Sequence, residues 1–180
     1  MVFSLEHIFL EFRNWLISDS NLTWNQSRHD WTREIKAFFG QLGERNECVS
    51  IYTGVRPRES EYLLDLVWKV QSPRRYLELG LESELSGNRA RIMRAFEKLL
   101  DVKANIKVGL FRLNSDIEDD IIQTMQEKML EQAYPVQTEN YLVIFLRYII
   151  DANQIEIHGC KIFITGRQED IERNFYPFEL

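Results

Sequence analysis

Between Tyr76 and Leu113 the hydrophobic period changes twice, and no other feature constrains the fold as much. "YLELGLESEL" alternates with period two, "SGNRARIMRAFEKLLDV" carries Ile92, Ala95, Phe96, Leu99 and Leu100 at helical spacing, and "IKVGLFRL" is an apolar strand. Ser86, Gly87 and Asn88 supply the helix start between them. A helix between two strands of one sheet demands a right-handed crossover and a parallel pair. The run before it, "EYLLDLVWKVQSPRRYLELGLESEL", instead reads as two strands joined by a turn at Pro73, an antiparallel hairpin. Parallel and antiparallel pairs together predict a mixed central sheet flanked by helices, an α/β or α+β sandwich.

The remaining segments extend this plan. Ile8, Phe9, Phe12, Trp15 and Leu16 form one helical stripe, and "SDSNLTWNQSRHD" ends that helix. Asp30 is positioned to cap a second helix with the stripe Trp31, Ile35, Phe38, Phe39 and Leu42. "CVSIYTGV" reads as a strand. Ser115 and Glu118 fit a capping box before a helix from about Asp116 to Gln132. The crowding of Asp116, Glu118, Asp119 and Asp120 in its first turn fits the helix dipole without any metal. "NYLVIFLRYII" is a fifth strand, and "QIEIHGCKIFIT" a sixth, bent at Gly159. The aromatic tail "NFYPFEL" is expected to dock on the body. With no repeat and no Pro-, Gly- or Ser-rich linker, the 180 residues read as one domain with N-terminal helices over about 1–44.

Composition narrows the class. The chain is 44% apolar and 28% charged, a globular balance. The start "MVFSLEHIFLEFRNWL" lacks a basic leader and is broken by Glu6, His7 and Glu11, so it reads as an amphipathic helix and not a signal peptide. No apolar run reaches membrane-spanning length, so no membrane is expected. Cys48 and Cys160 stand alone in apolar surroundings, which fits buried thiols in a reducing compartment, the cytoplasm. The net charge of −6 argues against a generally basic nucleic-acid binder, yet Gly54–Arg112 holds twelve Lys and Arg against eight Asp and Glu. A local basic surface attracts a polyanion even on an acidic protein.

The carboxylates of the hairpin carry the functional question. Asp65 interrupts the apolar "LLDLVW", where a free carboxylate is costly unless solvated, paired or metal-bound. In "LELGLESE", Leu77, Leu79, Leu81 and Ser83 point one way, and Glu78, Gly80, Glu82 and Glu84 the other, with Glu82 and Glu84 about 7 Å apart. If the register sets Asp65 beside Glu82, three carboxylates converge, and Glu61 is a candidate fourth. Such a cluster repels itself unless a hard divalent cation such as Mg²⁺ or Mn²⁺ binds. The plainer alternative is a half-exposed strand with one acidic face.

An acidic residue in an apolar strand, a hairpin turn, E-x-E at the end of the next strand, then a helix and a strand resembles the PD-(D/E)XK, or restriction-endonuclease-like, superfamily of nucleases. The resemblance spans roughly Cys48 to Leu113. It implies Asp65 as the central aspartate and Glu82 as the (D/E), both metal ligands, with Glu61 as a further candidate. Glu84 stands where most members have lysine. Some members carry a second glutamate there, and others move the lysine onto the following helix, where Lys98 in "FEKLL" is the candidate. Leu64 stands where the motif has proline. Glu34, on the second helix, lies in the region where members add an acidic ligand, although a solvated helix position is the simpler reading.

On this reading the catalytic residues are Asp65, Glu82, Glu84 and Lys98, the cofactor is Mg²⁺ or Mn²⁺, and the reaction is phosphodiester hydrolysis in DNA. Arg74, Arg75, Arg89 and Arg91 would contact phosphates, which position a duplex without reading bases. A homodimer is the candidate assembly. The rival reading is a non-catalytic interaction module on the same fold, favoured by net acidity and the missing lysine. His7, His29 and His158 have no metal-ligand spacing and read as structural.

Overall fold

The computed structural model describes residues 4–52, 64–71, 76–114, 118–131, 140–163, 165 and 167–180. Glu61, Arg74, Arg75, Ser115 and Asp116 lie outside the described residues. The elements in chain order are α1 (Leu5–Asn14), a π-helical turn (Trp15–Asp19), α2 (Arg28–Arg45), β1 (Val49–Tyr52), β2 (Leu66–Val70) and β3 (Tyr76–Gly87). There follow α3 (Arg89–Asp101), β4 (Ile106–Leu113), α4 (Glu118–Leu130), β5 (Asn140–Ile149), β6 (Gln154–Ile162) and β7 (Gln168–Pro177).

One seven-stranded sheet runs in simple order from β1 to β7. The β3–β4 and β4–β5 pairs, each bridged by a helix, are parallel, and the other four are antiparallel. The expected mixed α+β architecture is present. Helices lie on both faces, because each face of the sheet carries its own apolar set. On one face Leu66, Trp68, Leu79, Leu81, Val108 and Ile144 meet the stripes of α1 and α2. On the other, Val67, Phe111, Val143, Phe145 and Cys160 meet Ile92 and Phe96 of α3 and Ile121 and Met125 of α4. Both cysteines are free and buried, and no helix among the described residues is long and apolar enough to cross a membrane.

Three expectations are corrected. Helix α2 is capped by Ser27, whose hydroxyl accepts from the Asp30 amide, so Asp30 lies inside the first turn. The side-chain alternation of β3 is interrupted. Trp68 pairs with Leu79 but Lys69 with Leu77, so Glu78 is the extra residue of a bulge. Leu77 consequently packs on the α3–α4 side while Leu79 and Leu81 pack on the α1–α2 side. Finally, part of the supposed tail belongs to the ten-residue edge strand β7, which spans Gln168–Pro177 and pairs along β6. Beyond it Phe178 docks as expected, against Trp31, and the Glu179 carbonyl accepts from the Trp24 amide at 2.9 Å. The bend expected at Gly159 is a register shift between Gly159 and Cys160, and any side chain at 159 would run into the Phe9 ring.

Candidate functional site

The β2–β3 pairing brings Asp65 and Glu82 together. Leu66 is paired with Leu81, so the next step of the register sets Asp65 against Glu82. The Asp65 N–H donates to Glu82 Oε1 at 3.1 Å. Asp65 Oδ2 in turn accepts from the Ser83 N–H at 2.9 Å and the Ser83 hydroxyl at 2.7 Å. Gly80 shapes the approach, since a Cβ there would lie 2.6 Å from Leu64 Cδ1. A bare backbone at 80 lets Leu64 fold in beside it and aims the following Asp65 at Glu82 and Ser83, midway along β3.

Helix α3 delivers the third member. Asn88 caps it by accepting from the Arg91 amide at 3.1 Å. Ile92, Phe96 and Leu99 are buried against the sheet. This packing leaves Lys98 on the flank, where Nζ donates to Glu82 Oε2 at 3.1 Å and Oε1 at 3.2 Å. The Glu82 side chain is 3% exposed and the Lys98 side chain 46% exposed. Burial first, and then the charge of Asp65, push the Glu82 carboxyl up to about 7, against the opposing pull of Lys98. A group balanced near neutrality by burial and a like charge is what acid–base chemistry at pH 7 requires.

The other sequence candidates fall elsewhere. Glu84 Oε1 accepts from the Ser86 amide at 2.8 Å, two residues on along its own strand, and shares no hydrogen bond with Asp65 or Glu82 among the described residues. Arg89 ties α3 to α4 through Asp120 at 2.6 Å and Thr124 at 2.9 Å. Arg91 is exposed without a carboxylate partner among the described residues, and so is Arg94, which sits one turn on. With Lys98 these form a basic stripe at i, i+3 and i+7 that ends on Glu82. Glu34 is half-buried on α2, paired with Arg33.

Two carboxylates with hard oxygen donors fit a Mg²⁺-type ion that keeps several waters, and Asp65 Oδ1 carries no hydrogen bond among the described residues. No group of three or more His, Cys, Asp or Glu is assembled for a metal among the described residues. Sequence reasoning missed Ser83 and Gly80. Ser83 lies on the opposite side of the pleat from Glu82, and nothing in the linear pattern couples it to Asp65.

It also missed a buried ionic network on the same face, towards the β7 edge of the sheet. His158 Nδ1 contacts Glu118, and Nε2 lies 3.0 Å from Asp170 Oδ1. Arg173 reaches Glu156 at 2.7 Å and Glu118 at 3.3 Å, and Arg147 reaches Glu156 at 2.7 Å. Glu118, Glu156 and His158 are all buried. Glu118 therefore faces inward to a cation, where the sequence suggested only a helix-dipole role. No protein-family model matches the chain, and no curated protein matches its sequence.

Proposed function

We propose that the chain is a metal-dependent nuclease-like protein hydrolysing phosphodiester bonds in DNA, on a restriction-endonuclease-like scaffold. One observation carries the reading: Lys98, from the helix after the hairpin, meets Glu82 at the point where Glu82 meets Asp65. A carboxylate pair with a neighbouring lysine suits phosphoryl transfer, in which negative charge must be bound and water deprotonated. Asp65 and Glu82 would hold Mg²⁺ or Mn²⁺, and the chemistry a divalent ion supplies there is activation of water and polarisation of a phosphoryl oxygen.

The chain's own residues set the rest. Ser83 fixes Asp65 by two hydrogen bonds, so that carboxylate is oriented before any ligand arrives. Glu82, near neutrality, exchanges a proton at working pH. Lys98 is exposed enough to turn from Glu82 to a phosphate oxygen. Arg91 and Arg94 extend the cationic track along α3 and would hold flanking phosphates. Glu84, bonded within its own strand, is assigned no direct part.

The test is cleavage of duplex DNA with Mg²⁺ or Mn²⁺ by the wild type, Asp65→Ala, Glu82→Ala and Lys98→Ala. Expected losses exceed about 100-fold for each carboxylate, the scale on which positioned acid–base and electrostatic groups act. Equal activity in all four proteins refutes the reading. A second reading, a non-catalytic module on the same scaffold, is favoured by the Lys98–Glu82 pair, in which a lysine already compensates the buried carboxylate.

A further inference from the structure

A cavity of about 530 Å³ opens where the turn after α1, the β5–β6 connection and the segment after β7 meet. Its floor is apolar, formed by Ile17, Leu22, Pro177 and Phe178. The rest of the lining is hydroxyl and amide groups with one charge, the Glu179 carboxylate, and no Lys, Arg or His. Glu179 is exposed and its carboxylate pairs with no cation among the described residues. The helix that begins at Leu5 closes beside the cavity in the π-helical turn Trp15–Asp19. There the Ser20 amide returns to the Trp15 carbonyl at 2.8 Å, and the Ser20 hydroxyl to the Leu16 carbonyl at 2.7 Å. The carbonyls of Ile17, Ser18 and Asp19 accept no hydrogen bond among the described residues.

The walls are held in place by the fold itself. Phe178 meets Trp31 at 6.0 Å, and its amide donates to the Asn153 carbonyl at 3.3 Å. Asn153 lines the cavity in the left-handed region, φ 50°, which Asn adopts more readily than most residues. The volume falls in the range of small-molecule sites, and fixed walls spare a ligand the cost of ordering them. π-helical turns recur at functional sites. Charge decides what such a site takes. Open carbonyls at a helix C-terminus carry the negative end of its dipole and favour a cation, and Glu179 adds a full negative charge on the same lining. An anion would meet repulsion and no partner of opposite sign. A bare inorganic cation would leave the apolar floor wet, whereas a carbon body covers it.

We propose that this cavity binds a small organic ammonium ion. The charged head lies between Glu179 and the open carbonyls of the π-helical turn, and the carbon body lies on Ile17, Leu22 and Phe178. The inference stands apart from the hydrolytic reading, because the cavity floor belongs to the apolar set on the α1–α2 side of the sheet.

Calorimetric titration of the full chain with phenethylamine, phenethyl alcohol and phenylacetate tests it, since the three probes share a carbon body and differ in charge. Saturable binding of phenethylamine is expected, about tenfold tighter than phenethyl alcohol, the combined scale of an open ion pair and a helix end. Phenylacetate should not bind. Glu179→Gln should weaken the amine about fivefold, the upper end for an ion pair open to solvent. Ile17→Trp, which fills the floor, should abolish binding. Glu44→Gln, which removes one exposed negative charge at the C-terminal end of α2, should bind like the wild type. If Ile17→Trp melts early, Glu179→Gln decides the matter, because the Glu179 contact to Trp24 is made by its carbonyl and survives the substitution. No saturable binding of the amine, binding of either other probe as tightly as the amine, or wild-type affinity in Glu179→Gln overturns the proposal.

Discussion

Glu82 is held in a state that works against stability. Its carboxyl, raised to about 7 by burial and by Asp65, lies above the ordinary value of 4.5. A carboxyl raised in this way contributes stability that is fully present below about 4.5 and is lost as pH rises towards 7. Glu82→Gln keeps an oxygen for the Asp65 amide and removes the charge. It should match the wild type at pH 4.5 and be more stable by about 2 kcal/mol at pH 8, read by urea denaturation. The same variant should lose cleavage, the usual opposition between a strained site and stability. An equal or lower stability at pH 8 would show that the Lys98 pair outweighs the burial. Asp65 was legible in the sequence because a carboxylate in an apolar run needs a reason, although it lies just before β2 and not within it, and Glu82 because alternation set it beside Asp65, midway along β3 and not at its end. Glu84 misled, since alternation gives the side of the pleat but not the register shift after Glu84, where the Ser86 amide captures its oxygen. Lys98 was reachable only through the family resemblance, since helical spacing alone does not tell which strand end a flank residue meets.

At the scale of elements, the network around His158 joins β5, β6, β7 and the start of α4. Both ring nitrogens face carboxylates, which only the imidazolium satisfies by donating twice. Burial alone would push His158 down, but the hydrogen bond and charge of Glu118, then those of Asp170, hold it above 6.5. A raised histidine contributes stability that is present below about 6.5 and is lost as pH climbs through the folded value. His158→Ala should therefore cost about 3 kcal/mol at pH 6, the scale for removing one partner of a buried pair. The cost should shrink as pH rises through the folded value, where the wild type loses the same proton. A pH-independent difference in chemical denaturation would contradict this account. Strand β7 itself escaped the sequence because Gln168–Pro177 is polar and mostly unburied, as an edge strand is, and offers no apolar alternation. By contrast "IKVGLFRL" and "NYLVIFLRYII" were plain as β4 and β5, because parallel central strands are buried on both faces and read as continuous apolar runs.

For the whole molecule, the order of periods dictated the mixed sheet, and the two apolar sets dictated helices on both faces. The bulge at Glu78 could not be foreseen, because it depends on pairing between residues that the linear pattern treats alike. The layered plan puts the carboxylate pair at the α3 face of the sheet, where Lys98 meets it. Everything proposed about hydrolysis rests on Asp65 and Glu82 sharing one divalent ion. The most direct measurement is calorimetric titration with Mn²⁺ at pH 7 in buffers of different ionisation heat, for the wild type, Asp65→Ala and Glu82→Ala. Because Glu82 is raised to about 7, a fraction of it is protonated there, and metal binding must displace that proton. The account predicts one saturable site with proton release in the wild type and no such site in either variant. Binding that survives both substitutions, or no binding by the wild type, would contradict it.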